Sequence, residues 1–510
     1  MIMRVSNYAI AAGASAFLTA SPALADVTPE QVWESFSGYL QSFGYTVDAT
    51  ETRSGDSLEL ADLVFTMELP DDEGRVAVGF GEMTLEDQGD GTVRVILPAD
   101  TQISVDAAAE DEGELGMVID YGTEALDMVV SGDPDAMLYA FSAQAMTAVL
   151  SELVVDGETV PRDELRAELT ASELEGETQV VLADGMRRID QTVSIGSVSY
   201  DGGGQDPEGD GAGSFTGSLS SLVSESQAEI PLDMRFTDMA ALLEAGMSMT
   251  GRITYGAGQS QFSFTEDGSV TNGSSASESG SFDLAMSEDM LRYGIAAEGI
   301  AYNVEGGEIP FPLSAEMDEL ALTIEAPISA SEEPQDMALA MTLGGLTLSD
   351  MIWNIFDSGN VLPRDPATVA FDITGQVTPF VDFLDPAQME ALEDGERKPG
   401  ELNALTLNNL TVEAAGAQLT GSGDFTFDNS DLESFDGMPK PTGAVDLRLA
   451  GANGLIDNLI AMGLISDQDA MGARMMMNMF GVPASDPDTL TSKIEINEQG
   501  QILANGQRIK

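Results

Sequence analysis

Apolar residues recur at every second position through most of this chain, and that period decides what it can fold into. Val93/Val95/Leu97, Leu320/Leu322/Ile324, Met337/Leu339/Met341/Leu343, Leu405/Leu407, Phe425/Phe427, Val445/Leu447/Leu449 and Ile494/Ile496 alternate with polar or small residues. Successive side chains of a strand point to opposite faces, so this pattern builds antiparallel strands with one dry face. Glycine with acidic or amide residues punctuates the runs, as at Asp87–Gly91, Glu266–Gly268 and Glu498–Gly500. The fold class expected is therefore mainly β, a β-rich α+β arrangement with amphipathic helices packed on one face of a long antiparallel sheet.

One helix is announced by local chemistry alone. Thr28 can cap it, Pro29 suits its first turn, Gln31 completes a capping box, and Val32, Phe36, Leu40 and Phe43 share a face before Gly44 ends it. Further helical signals lie at Met137–Leu153, Met239–Met247, Ser349–Phe356, Val381–Leu392 and Leu455–Phe480. The acidic, glycine-rich stretch Asp201–Gly213 reads as a linker, dividing a β-rich half at 26–200 from a second at 214–510 that carries helical insertions. Asn272–Gly280 reads as a second loose tract.

Residues 1–25 read as a secretory signal peptide. Arg4 supplies the positive region, Tyr8–Leu18 the apolar one, and Pro22-Ala23-Leu24-Ala25 a small-x-small site, with cleavage expected after Ala25. Later runs stay short of the roughly 18 apolar residues that a spanning helix needs. The periplasm is the expected compartment. A chain of 510 residues without cysteine can still be stable there, because one this long buries enough surface to need no disulfide staples.

The chain carries 88 acidic residues against 20 basic ones, with lysine only at Lys398, Lys440, Lys493 and Lys510. Such a polyanion rejects phosphate backbones and anionic lipid surfaces, so nucleic acid is excluded as a partner. Acids spread over the whole chain read as a surface adapted to a salty medium. With histidine absent as well as cysteine, Ser-His-Asp and Cys-His catalysis, structural zinc, haem and iron–sulfur ligation all fall away. GxGxxG, GxxxxGK[ST], GxSxG and SxxK do not occur. A carboxylate-based hydrolase needs only two acids, which this composition cannot single out. No catalytic residue is expected, and the chain reads as a non-enzyme.

Three constellations remain. Asp201, Asp206, Glu208 and Asp210 lie among glycines and offer oxygens to calcium, and Glu86, Asp87 and Asp90 form a tighter turn of the same kind. A solvated loop is the competing reading of both. Met471, Met475 and Met479 fall on one helical face, with Met476, Met477 and Phe480 alongside and Met462 a few turns earlier. Core packing, an apolar ligand or partner surface, and Cu(I) are the readings this face admits, in that order. Trp353 and Phe356 sit on a short helix that Ser349 can cap, and read as an anchor onto the sheet. In the Pro363-Arg364-Asp365-Pro366 segment that follows, Arg364 reads as a structural ion pair, or as a contact for an anionic head group.

Trp353-Asn354-Ile355-Phe356-Asp357 with Leu362-Pro363-Arg364-Asp365-Pro366-Ala367-Thr368 resembles a signature of an exported bacterial family, domain of unknown function 2125. Asp26-Val27-Thr28-Pro29-Glu30-Gln31-Val32-Trp33 and Pro441-Thr442-Gly443-Ala444-Val445 are similar to that family too. This resemblance implies a fold and a compartment, with no catalytic residues to carry over. More distantly, Leu405–Phe427 looks like the strand pattern of AsmA-type envelope proteins, which implies a long curved sheet whose apolar inner face holds lipid chains. An outer-membrane barrel is the poorer architecture, since aromatics are sparse and helices interrupt the strands. The expected function is a soluble periplasmic binding protein with an apolar groove for a lipid-like ligand. The alternatives are a structural or interaction protein with a filled core and, third, a carboxylate hydrolase.

Overall fold

In a computed structural model the protein is described over residues 26–68, 74–109, 113–162, 164–206, 209, 211–232, 234 and 239–509. The expected signal peptide, 1–25, lies outside these residues. The strands make one antiparallel sheet. Its broadest part sets Ala136–Val155, Leu165–Ala183, Met186–Gln205 and Ala212–Pro231 side by side. Each has 19 or 20 residues, which at about 3.3 Å per residue gives a width of roughly 65 Å. Two tiers of shorter strands then fill the space before Leu291–Gly306. Ser248–Tyr255 with Ser279–Met286 forms one, and Gly258–Glu266 with Ser269–Ser277 the other. The ladder starts at Thr46–Ser54 and finishes at Gln507–Arg508, and no pairing joins these ends among the described residues.

Register shows why the alternation is so persistent. Leu284, Tyr293, Ile324, Leu339, Ile373 and Leu407 are successive cross-strand partners on one face. On the other, Gln227, Thr250, Ala285, Arg292, Glu325 and Ala338 succeed one another. A slip of one residue anywhere would exchange these rows, so the dry face itself fixes the pairing. Five reversals are two-residue loops with both residues at positive φ: Asp156-Gly157, Asp184-Gly185, Asp267-Gly268, Ala415-Gly416 and Asn505-Gly506. This geometry matches the right-handed twist of the flanking strands.

Six helices are described: α1 Pro29–Ser42, α2 Met239–Glu244, α3 Asp350–Phe356, α4 Pro386–Glu393, α5 Ala452–Ala461 and α6 Asp467–Phe480. The capping box of α1 forms as the sequence predicts, with Gln31 N–H donating to Thr28 Oγ1 at 3.3 Å and Thr28 N–H to Gln31 Oε1 at 3.0 Å. Val32 and Trp33 are buried against Leu58, Leu60, Leu85 and Val95, each contributing about 1.5–3 kcal/mol. A second core gathers Leu242 and Leu243 of α2 with Met247 and Ile328, and Met249 and Met286 pack on it from the dry face.

Three expectations are corrected. Met137–Leu153 is strand, not helix, because pairing on both sides with Leu165–Ala183 and Gly113–Glu124 overrides its helix-forming Ala, Met and Leu. Asp201–Gly213 is no linker, since Asp201–Gln205 and Ala212–Gly213 are ladder on either side of a hairpin turn. Asn272–Gly280 likewise belongs to two strands. At several glycines of these tracts an aromatic ring from the facing strand lies over the backbone. Gly202 sits under Phe215, Gly273 under Phe262 and Gly280 under Tyr255, each a direct cross-strand partner whose ring a Cβ would overlap.

Candidate functional site

Alternation along Met186–Gln205 puts Arg187, Ile189 and Gln191 on the dry face, and register places Ile230 and Ala228 beside the first two. Val180, Met249 and Leu284 extend this floor, and Tyr139 and Phe141 border it. α1 lies above, presenting Trp33, Phe36 and Tyr39, with Phe43 at its C-cap, and Phe80, Met83, Leu97 and Met128 close the far wall. Between helix and sheet remains a cavity of about 630 Å³, partly open to solvent. That volume falls within the roughly 300–1,000 Å³ of small-molecule sites, which are mostly apolar with a few placed polar groups. Here Ser35, Thr178, Gln191, Ser226, Gln227 and Thr250 are the polar contributors, and Gln191 Nε2 donates to Thr178 Oγ1 at 3.0 Å.

α1 is pinned over this groove at both ends. Trp33 Nε1 donates to Glu51 at 2.8 Å, and the Trp33 and Phe36 rings stand 6.1 Å apart. At the other end Arg187 Nη1 donates to Ser42 Oγ at 3.2 Å, and the guanidinium lies 5.4 Å from the centre of the Tyr39 ring. Tyr139 donates to Ser35 Oγ at 3.3 Å. Burial pushes the Tyr39 and Tyr139 hydroxyls up from their ordinary values although Arg187 pulls both back. Burial also draws Arg187 down, against the pull of the two tyrosines. Both phenols therefore stay neutral at ordinary pH and leave the guanidinium charge unbalanced.

The calcium candidates do not assemble. Asp201 pairs with Arg166 at 3.1 Å on the polar face, Asp206 opens the hairpin turn with its N–H donating to Gly211 at 2.8 Å, and Glu208 and Asp210 lie outside the described residues. At the tighter turn, Asp87 accepts from Gly89 N–H and Asp90 from Thr92 N–H and hydroxyl. Those bonds hold the Asp90 carboxyl below its usual range. Among the described residues no three acidic side chains converge as a metal site would require.

The methionine face is placed differently from its first reading. Met471, Met475 and Met479 are 62%, 68% and 57% exposed, so they are not core. α6 instead docks through Ala470, Arg474 and Met477, and Arg474 donates to Asp457 at 2.6 Å and to Asn453 at 3.1 Å. Phe480, with Met476 and Met477, borders a second apolar cavity of about 430 Å³ over Leu419, Leu447 and Leu490.

The Trp353–Pro366 motif folds onto itself. Asp357, only 1% exposed, accepts from Val361 N–H at 2.9 Å and Leu362 N–H at 3.0 Å. Arg364 pairs with Asp350, donates to Asn354 at 3.2 Å and to the Asp357 carbonyl at 3.3 Å, and lies over the Trp353 ring. Arg364 thus makes an ion pair within the motif, while its Nε has no hydrogen-bond partner among the described residues. Pro363 rests on Gly416 of the next hairpin, while Asp365, Pro366 and Phe356 face solvent.

The main groove was not foreseen as a set of residues, because its lining comes from α1 and from strands as distant as Ser279–Met286. Fold and groove together define a class: a broad open antiparallel sheet, dry on one face, that holds an apolar cavity beneath a capped helix. The sequence matches, over residues 233–504, the family described as an uncharacterized protein conserved in bacteria, DUF2125. The protein belongs to that family. The match covers the Trp353–Pro366 motif and Pro441–Val445, whereas Asp26–Trp33 and most of the groove lining precede it. No curated protein matches the chain.

Proposed function

We propose that this is an exported, non-catalytic binding protein of the bacterial cell envelope that holds an apolar, lipid-like ligand between α1 and the sheet. The observation that carries this reading is the cavity of about 630 Å³ lined mostly by aromatic and aliphatic side chains. A filled core would leave no such space, so the cavity favours a ligand over a purely structural sheet. Export is supported by the pattern of residues 1–25, and no helix among the described residues is long and apolar enough to cross a membrane. A non-catalytic role is supported by the missing imidazole and thiol.

Native mass spectrometry of the purified protein, with solvent extraction of the same sample, tests the reading. Adducts carrying acyl-chain masses are expected. A clean apoprotein that also takes up no added amphiphile would refute it.

A further inference from the structure

Among the described residues Arg187 is the only buried basic side chain, at 6% exposure. Eight other arginines each hold a carboxylate. Arg187 holds none among the described residues, and its Nε has no hydrogen-bond partner. In a chain with 88 acids this isolation does not come from a shortage of carboxylates. A buried charge is costly unless an opposite charge or hydrogen bonds meet it. The Tyr39 ring and the Ser42 hydroxyl satisfy one face and one N–H of the guanidinium, and leave the rest of its fork unused. The position matters as much as the charge. Arg187 does not itself line the cavity but borders it: it stands two residues before Ile189 on the dry face, is the cross-strand partner of Ile230 and packs against Tyr39, and Ile189, Ile230, Tyr39 and Tyr139 all line the cavity.

We propose that the groove takes a single-chain anionic amphiphile, its chain in the apolar cavity and its head-group oxygens on the Arg187 guanidinium. This deepens the binding reading above and rests on it. A guanidinium presents parallel N–H groups that match two oxygens of one carboxylate or phosphate, a geometry that a neutral hydroxyl cannot complete. A fatty acid and a lysophospholipid share this chemistry, and the ligands chosen for the test separate them.

Trp33 lines the cavity, and the chain has two tryptophans, so Trp353→Phe leaves Trp33 as the sole reporter. Palmitate, palmitoyl lysophosphatidate and the neutral hexadecanol are titrated into that protein while Trp33 emission is followed. At least one anion should bind about tenfold or more tightly than hexadecanol, as expected for hydrogen bonds to a charged group. The preferred anion identifies the head group. Arg187→Met should bring its affinity down to that of hexadecanol and leave hexadecanol unchanged, with Arg187→Lys in between. Equal binding of anions and hexadecanol, or an anion affinity unchanged by Arg187→Met, would overturn the head-group assignment alone. If no amphiphile alters Trp33 emission, the groove reading itself falls. Should the Arg187 variants fail to fold, the comparison of ligands on the Arg187 protein still decides.

Discussion

Removing the Asp357 carboxylate should be among the costliest single changes in the C-terminal part of the chain. It is almost fully buried and accepts two backbone N–H groups, from Val361 and Leu362. A hydrogen bond to a charged acceptor contributes about 1.5–3 kcal/mol, and an orphaned buried donor costs about 1–3 kcal/mol. Leu362 N–H is buried and counts in full, whereas Val361 is half-buried and can recover part of its loss from water. The expected cost of Asp357→Ala is then about 2–4 kcal/mol. Asp357→Asn keeps one acceptor oxygen but turns an NH₂ toward the second N–H, so it should cost somewhat less. Urea unfolding followed by Trp353 fluorescence, in a Trp33→Phe background, measures both. A loss under about 0.5 kcal/mol for Asp357→Ala, the size of an ordinary surface change, would refute the reasoning.

Three further outcomes are expected. Ala415 occupies the left-handed region at φ 51°, which costs an L-residue roughly 1–2 kcal/mol, so Ala415→Asn should raise the urea midpoint; a fall would show that the turn is not strained. Gly280→Ala would drive a methyl into the Tyr255 ring and should cost about 1–3 kcal/mol, while Gly251→Ala, which meets nothing within 4 Å, should be nearly neutral; equal costs would discredit the ring-over-glycine account. Hydrogen bonds from Ser466 hold the Asp469 carboxyl below its usual 3.8. Because that folded-state value is depressed, the capping contribution is complete above pH 3.8 and lost as pH falls through the depressed value. Amide exchange should show α6 opening first at its N-terminus as acid is added, and Ser466→Ala should abolish the difference.

The parts legible in advance are those whose cause is local. Thr28, Pro29 and Gln31 sit within four residues of one another, so the start of α1 can be read directly. Period-two runs such as Leu320/Leu322/Ile324 announce strands because half-burial leaves one polar residue between each apolar pair. Met137–Leu153 escaped because its strand is flanked on both sides and tolerates apolar residues in both registers. The glycines near 202 and 273 looked like slack chain because the rings covering them, Phe215 and Phe262, belong to neighbouring strands. Arg187 stands beside Arg188, and the sequence around it does not mark it as buried. Alternation with Ile189 was its only signal, and nothing local says that α1 will fold back over it. Met471, Met475 and Met479 form a true helical stripe, but periodicity cannot tell which stripe a helix turns inward, and α6 turns inward the one bearing Ala470 and Met477.

Because the ladder does not close among the described residues, its two outermost strands leave backbone donors and acceptors that could recruit another copy into a fibre. One border, Thr46–Ser54, is mostly exposed and studded with Asp48, Glu51 and Arg53, and the other, Gln507–Arg508, is only two residues long. Neither offers a flat, uncharged template. A molecule that carries so wide a greasy surface thus gives a second copy no flat edge on which to extend the sheet.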